Sequence, residues 1–387
     1  MDLRAPPPGF HDDPWPHYAA ARAAGAVRQP DSSVLVARHA DLSAIYRDVD
    51  LWRSDKAAVF RPKFGDGPLY DHHTTSLVFN DPPLHGRVRR VLAGALTPRA
   101  LGRLRPRLEA LVDGLLDRMD GSADLVEGFA AAIPVEVIGD LLDVPRDERG
   151  PLRGWSLAIL GALEPTVPPE RMAAGNAAVT AFLAYLRTLV ARRRAAPGDP
   201  EVDVLTRLID GGALSEAELL HNCIFILNAG HETTTNLIGN ALWLLERWPE
   251  ARTACRADPA AVEAAVEETL RMESPNQFGN RQAARDAVVA GVAIPAGTDV
   301  HLCIGGANRD PAVWDAPDAF RLDRGAPRHL AFAGGPHVCV GLTLARMEGR
   351  VALERFLARH PSYAVTEARR SRRMRFRGFE RLEARLG

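Results

Sequence analysis

Three short stretches carry side chains able to do chemistry. In residues 329–348, HLAFAGGPHVCVGLTLARME, a single thiol, Cys339, follows a loop of glycines, a proline and a histidine and precedes an amphipathic helix. A thiol placed there lies near free backbone N–H groups and the positive end of a helix dipole, both of which favour thiolate. The pattern admits a nucleophile with His337 as its base, a metal ligand, or an inert packed cysteine. Residues 227–239, LNAGHETTTNLIG, begin like a zinc-protease motif, but Thr235 stands where the second histidine is required. On a helix Ala229, Gly230 and Thr233 share a face, with Glu232 about 100° around from Thr233. A flat ligand could lie against the small residues beneath a hydroxyl and beside a carboxylate. A buried polar bend, with Thr233 and Thr234 bonding back to carbonyls one turn earlier, explains the same residues equally well. In AVEETLRMESP, Glu268 and Arg271 stand at i and i+3, where a charge-assisted pair can form, although most such pairs decorate solvated surfaces.

These residues need elements to hold them. Alanine- and leucine-rich periodicity predicts helices near 15–25, 40–48, 84–94, 99–119, 133–142, 173–195, 201–209, 215–247, 260–273 and 341–358. The helix from 215 is the longest. Ser215 with Glu218 reads as a capping box and Trp248-Pro249 as a stop, and Gly230 in its middle costs about 1 kcal/mol relative to alanine. Asp258-Pro259 reads as the start of another helix. VLVA at 34–37, residues 287–304 and the last twenty residues read as short strands and hairpins. Proline- and glycine-bearing segments at 60–83, 144–170, 196–200 and 305–328 read as long loops. The expectation is a mainly α chain with a small β region, folded as one domain over 1–387.

Composition narrows the partners. With 46% hydrophobic and 25% charged residues and a net charge of −1, the 387-residue chain reads as a soluble globular protein, with no signal for nucleic acid. The amino-terminal MDLRAPPPGFHDDPWPHY does not resemble a signal peptide, and no apolar run approaches the roughly 20 residues of a membrane span. A cytoplasmic protein without a membrane anchor is expected. The four cysteines are scattered, so neither a disulfide framework nor a structural zinc site is expected; Cys223, Cys255 and Cys303 read as packed thiols.

Taken together, the motifs resemble those of the cytochrome P450 family. FAGGPHVCVGLTLAR at 332–346 is similar to that family's cysteine loop, FGxGxHxCxGxxLAR, with Ala333 in place of the first glycine. AGHETT at 229–234 resembles its A/G-G-x-D/E-T-T segment, Glu268 and Arg271 its ExxR, DPPLHGRVRR at 81–90 its DPPxHxxxR, and ANRDPAVWDAPDAFRLDR at 307–324 its meander. The resemblance implies haem b, iron protoporphyrin IX, with Cys339 as axial thiolate and Phe332 near it. It implies that His85, Arg89, Arg281 and His337 hold the propionates, and that Glu268, Arg271 and Arg324 form a buried structural network. Ala229 and Gly230 would leave room for dioxygen, with Glu232 and Thr233 relaying protons and His231 a satisfied polar residue.

The activity so implied is hydroxylation, with O2 as cosubstrate, of a small to medium, mainly hydrophobic molecule. Electrons would come from a separate ferredoxin or flavodoxin with its reductase. Arg346 and Arg350 would either meet that donor or be plain solvated helix residues. Substrate contacts are expected from the 50–80 segment, where Lys56, Arg61, His72 and His73 suit an acidic or polar group, and near Asn276 and Gln277. A haem-thiolate sensor without turnover and a peroxide-driven haem enzyme stay open as alternatives.

Overall fold

A computed structural model describes residues 2–200, 203–325 and 328–387. The chain divides into two compact units. The first comprises residues 1–53, 109–132 and 233–387, the second 54–108 and 133–232.

The first unit holds the β-structure. Five strands pair in the order Ala26–Arg28, Val34–Val36, Asp299–Cys303, Phe278–Ala283 and Trp52–Arg53, with Val34–Val36 parallel to Val300–Leu302 and the other pairs antiparallel. The VLV run is buried on both faces, as a continuous apolar strand must be, and packs with Leu42, Ile45, Trp52, Val300 and Leu302. A second sheet joins Ser122–Asp124, Phe379–Arg385 and Ala364–Arg370. A tight hairpin pairs Ala287–Val289 with Val292–Ile294, and both residues of its turn, Ala290 and Gly291, have positive φ, at 48° and 80°, as a twist-matched two-residue turn requires.

Helices Pro259–Met272 and Leu342–Arg359 also belong to this unit. Asp258 caps the former by accepting the Ala260 N–H at 2.8 Å, which confirms the expected start.

The second unit is helical and corrects two expectations. Segment 60–83, expected to be loop, carries helices Ala57–Phe64 and Pro68–Thr75 and a short 3₁₀ turn, Leu77–Phe79; segment 144–170 carries helix Gly150–Gly161. The prolines that suggested loops open these elements instead: Pro68, Pro151 and Pro169 each lie in a first turn, where no N–H is needed. The helix expected at 201–209 runs Val204–Asp210, capped by Asp203; Glu201 and Val202 lie outside the described residues, as do Ala326 and Pro327 of the 305–328 loop.

Helix Pro169–Ala195 is a further correction, because among the described residues it alone is long and apolar enough, by length and composition, to cross a membrane. Alanine spreads its apolar character too thinly to stand out as a run. It buries Phe182, Leu186 and Val190, and Trp155 of the neighbouring helix packs 5.0 Å from the Phe182 ring.

One helix, Glu216–Arg247, contributes its first half to the second unit and its second half to the first. Ser215 and Glu218 close the expected capping box reciprocally, Ser215 N–H to Glu218 Oε2 at 2.8 Å and Glu218 N–H to Ser215 Oγ at 3.3 Å. Its 32 residues span about 48 Å.

Candidate functional site

In the first unit, the Cys339 loop is tied shut by its own backbone. A 3₁₀ turn over Gly335–His337 leads into Val338, and the Cys339 N–H donates to the Phe332 carbonyl oxygen at 3.0 Å. The following helix begins at Leu342, so the thiol stands just ahead of the free N–H groups of its first turn. Gly335 has φ 61°, and a Cβ there would collide with the Tyr46 carbonyl oxygen, so this position requires glycine. Ala333 also has positive φ, at 58°, in the place where the family pattern has glycine.

Cys339 differs from the other thiols. Cys223, Cys255 and Cys303 are buried, and burial pushes each up to about 12. These are packed thiols, as expected. Cys339 is half-buried, and so are Phe332, Val338, Val340 and Leu342 around it. The loop thus presents an apolar surface with one sulfur in it.

On the long helix, exposure follows a strip. From Leu219 to Leu242 every residue is buried except Phe225, Ile226, Ala229, Gly230 and Thr233. Residues 225, 229 and 233 are spaced by four, as are 226 and 230, so they lie on one face. An uncovered strip in the middle of a buried helix, floored by alanine and glycine, is what a flat ligand would cover. The helix is unbroken through Thr233 and Thr234. Gly230 has a packing reason as well, since a Cβ there would stand 2.9 Å from Ile138 Cδ1. His231 is buried with Nδ1 3.3 Å from Ser156 Oγ, the satisfied polar residue expected. Glu232 is buried and Thr233, the next residue, is half-exposed.

The expected propionate partners are divided between the units. His85 is buried and Arg89 half-buried, four apart on helix Leu84–Ala95 of the second unit; Asp81, which opens their motif, accepts the Ser54 and Asp55 N–H groups at 3.0 and 3.1 Å. In the first unit Arg281 is buried on strand Phe278–Ala283 with its guanidinium 5.1 Å from the Tyr46 ring, and His337 is half-buried at the end of the 3₁₀ turn. A half-buried thiol, a strip of small residues and four cationic or imidazole side chains are the residue types that the haem implied by the resemblance requires, and each unit holds part of them. Among the described residues no group of three or more His, Cys, Asp and Glu could hold a bare metal ion.

Other residues turn out to be engaged or were missed. Arg346 donates to Glu267 through Nε and Nη2 at 2.6 and 2.9 Å, and lies 4.9 Å from the Phe332 ring, while His329 stands 3.1 Å from the same carboxylate. The hydrogen bonds from Arg346 and His329 outweigh burial and hold Glu267 down at about 2. Arg350 is paired with Glu263 and Glu354. Both arginines are therefore neutralised. Gln277 is buried with its amide on the Ser274 carbonyl oxygen at 2.6 Å, Lys56 is fully buried, and Arg61 pairs with Asp66 and covers the Tyr70 ring.

Sequence reasoning did not single out Glu273, fully buried among Arg377, Arg370 and Arg309. Nor did it find Glu348, whose carboxyl shares a hydrogen bond with Thr234 and is pushed up to about 8 by burial. The partners of both are distant in sequence and leave no local pattern.

The family model for cytochrome P450 matches residues 166–362. The vitamin D(3) 25-hydroxylase of Pseudonocardia autotrophica is 37% identical over 365 residues, 92% of this chain and 88% of its own. The cytochrome P450 monooxygenase PikC of Streptomyces venezuelae is 35% identical, over 94% of this chain and 88% of its own. The crystal structure of P450BioI with an acyl carrier protein carrying hexadec-9Z-enoic acid superposes with a TM-score of 0.93 at 30% identity, covering 97% of this chain and 99% of that one. With relatives of this identity covering nine-tenths of its length, the chain belongs to the cytochrome P450 family of haem-thiolate monooxygenases.

Proposed function

We propose that the chain hydroxylates a small to medium, mainly hydrophobic organic molecule, acting as one functional domain over 1–387 in the cytoplasm, with electrons from a separate ferredoxin or flavodoxin and its reductase. The observation that carries the reading is the half-exposed Cys339 in its apolar loop, set against three thiols that are buried and inert. Relatives named for hydroxylating vitamin D(3) and 6-deoxyerythronolide B support the reading of a hydroxylase of organic molecules.

When bound, haem supplies activation of dioxygen at an iron whose thiolate ligand donates electron density. Cys339 would be that ligand, and the Phe332 carbonyl, by accepting the Cys339 N–H, fixes the direction of the loop. His85, Arg89, Arg281 and His337 would hold the propionates, with charged and neutral donors in place of water. Ala229 and Gly230 keep the strip low. Glu232, buried, and the half-exposed Thr233 would relay protons toward the strip; directed delivery would keep reducing equivalents from being lost as hydrogen peroxide.

Replacement of Cys339 by serine tests the assignment. The wild-type protein should show a thiolate-type spectrum with carbon monoxide after reduction, and the serine variant should lose it. A thiolate spectrum that survives the substitution, or a protein that stays colourless with porphyrin supplied, overturns the reading.

A further inference from the structure

Beside the thiol loop the first unit holds a charge cluster that the reading so far leaves without a task. Glu267, on helix Pro259–Met272, accepts two hydrogen bonds from Arg346, Nε to Oε1 at 2.6 Å and Nη2 to Oε2 at 2.9 Å. His329 adds a third: its Nδ1 accepts the Ala331 N–H at 3.3 Å, so Nε2 carries the proton that Glu267 Oε2 takes at 3.1 Å. Both partners of the carboxylate reach the same ring. The Arg346 guanidinium lies 4.9 Å from the Phe332 centroid, and the His329 ring lies 5.9 Å from it. Phe332 in turn accepts the Cys339 N–H at 3.0 Å, so the carboxylate is joined to the thiol through two side chains, one ring and one peptide carbonyl.

We infer that Glu267 is a positioning residue for the reaction: it clamps Arg346 and His329 against Phe332 and offsets the Arg346 charge at Cys339, and so sets how much electron density the sulfur gives the iron and with it the haem reduction potential. The inference rests on the monooxygenase reading, with Cys339 as ligand.

The argument is electrostatic. A cation beside a thiolate holds density on the sulfur, away from the iron. Because ferrous haem carries one more negative charge than ferric haem, a cation beside its ligand favours reduction and an anion opposes it. Arg346 is near enough to act in this way. The hydrogen bonds from Glu267 and, as the smallest contribution, the charge on Cys339 hold its guanidinium above its ordinary range in spite of burial. Burial also opposes the charge on Glu267, yet the bonds from Arg346 and His329 keep it at about 2, so it is a carboxylate at neutral pH. The two charges cancel beside the loop, and removing one exposes the other.

The setting differs from that of an ordinary surface pair. The Glu267 side chain is 23% exposed and that of His329 3%, whereas Glu263, which pairs with Arg350 one turn farther along the second helix, is 56% exposed and screened by water. Sign separates a role in the chemistry from a merely structural one. Loosening the loop moves the potential in the same direction whichever partner is lost, but a charge acts according to its sign.

The test is spectroelectrochemistry of the holoenzyme, poised at the potential where half of the wild-type haem is reduced. In Glu267→Gln, which keeps the shape without the charge, reduced haem should exceed oxidised haem about tenfold, a rise of about 59 mV for one electron. In Arg346→Gln the ratio should fall about tenfold, and in the double variant it should return to within about twofold of even. Glu263→Gln should leave it even as well. Each variant should keep the thiolate-type carbon monoxide spectrum. A ratio within about twofold of even in Glu267→Gln overturns the inference, and so does a shift in one direction for both single variants. Should one variant fail to hold haem, the sign of the other decides. Failure of the monooxygenase reading shows separately, as absence of the thiolate spectrum from the wild-type protein.

Discussion

Arg271 grips Glu268 with two parallel hydrogen bonds, Nη2 to Oε1 at 2.7 Å and Nε to Oε2 at 2.8 Å, and the two side chains are 1% and 4% exposed. Glu268 Oε1 also receives Arg324 Nε at 2.8 Å and the Arg321 N–H at 3.0 Å, while Arg271 caps the carbonyls of Asn308, Pro317 and Ala319. Every donor of the fork is engaged within the first unit, so this pair is structural. Arg271→Ala strands a buried carboxylate and should destabilise by about 3–5 kcal/mol. Arg271→Lys cannot reproduce the fork and should rescue little. Urea unfolding of the variants decides it, and a loss under about 1 kcal/mol for alanine would show that water replaces the guanidinium.

Ala333 occupies the left-handed region at φ 58°, where an L side chain costs about 1–2 kcal/mol. Ala333→Gly removes that strain but adds freedom to the unfolded chain, so the net gain should be about 0.5–1 kcal/mol, read as a higher thermal midpoint with an unchanged haem spectrum. Gly335→Ala is the opposite control. There positive φ and the Tyr46 carbonyl both oppose a Cβ, and folding should suffer visibly.

Glu348 makes stability depend on pH. Its carboxyl goes from 4.5 when exposed to about 8 in the fold, chiefly through burial. The folded chain therefore holds a proton that the unfolded chain releases between those values. The contribution is fully present below pH 4.5 and is lost as pH rises to about 8, at about 1.4 kcal/mol per pH unit. Glu348→Gln keeps the shape without the titration. The difference in unfolding free energy between wild type and variant should thus change by roughly 4 kcal/mol between pH 5 and pH 8, in favour of the variant; parallel curves would mean the carboxylate is solvated.

How much of this was legible depended on distance along the chain. The capping box of Ser215 and Glu218, the Asp258 cap and the Glu268/Arg271 pair are each closed within four residues, and local spacing revealed them. The thiol loop was legible because its backbone needs glycine at fixed offsets from Cys339. Helices Pro68–Thr75 and Gly150–Gly161 were hidden because proline in a first turn looks the same in sequence as proline in a loop. The neutral state of His72 and His73 was hidden too: burial by His221 and three phenylalanines decides it, and none of these contacts has a sequence period.

Thr233 and Thr234 are adjacent and chemically identical, yet they should fail differently. Thr234 is 2% exposed and its hydroxyl is bonded to the Glu348 carboxyl. Thr234→Val removes that partner from a buried acid and should destabilise by about 1–3 kcal/mol, with product formed per reducing equivalent unchanged. Thr233 is half-exposed on the strip, beside Ala229 and Gly230. Thr233→Ala should leave stability within about 0.5 kcal/mol and the pigment intact, while diverting reducing equivalents to hydrogen peroxide. Measuring peroxide and product against reductant consumed, together with urea unfolding, separates the two positions. If Thr233→Ala stays fully coupled, the proton relay does not run through this hydroxyl; if both variants lose only stability, the polar segment is a packing feature and Glu232 has no neighbour on the helix to receive its proton.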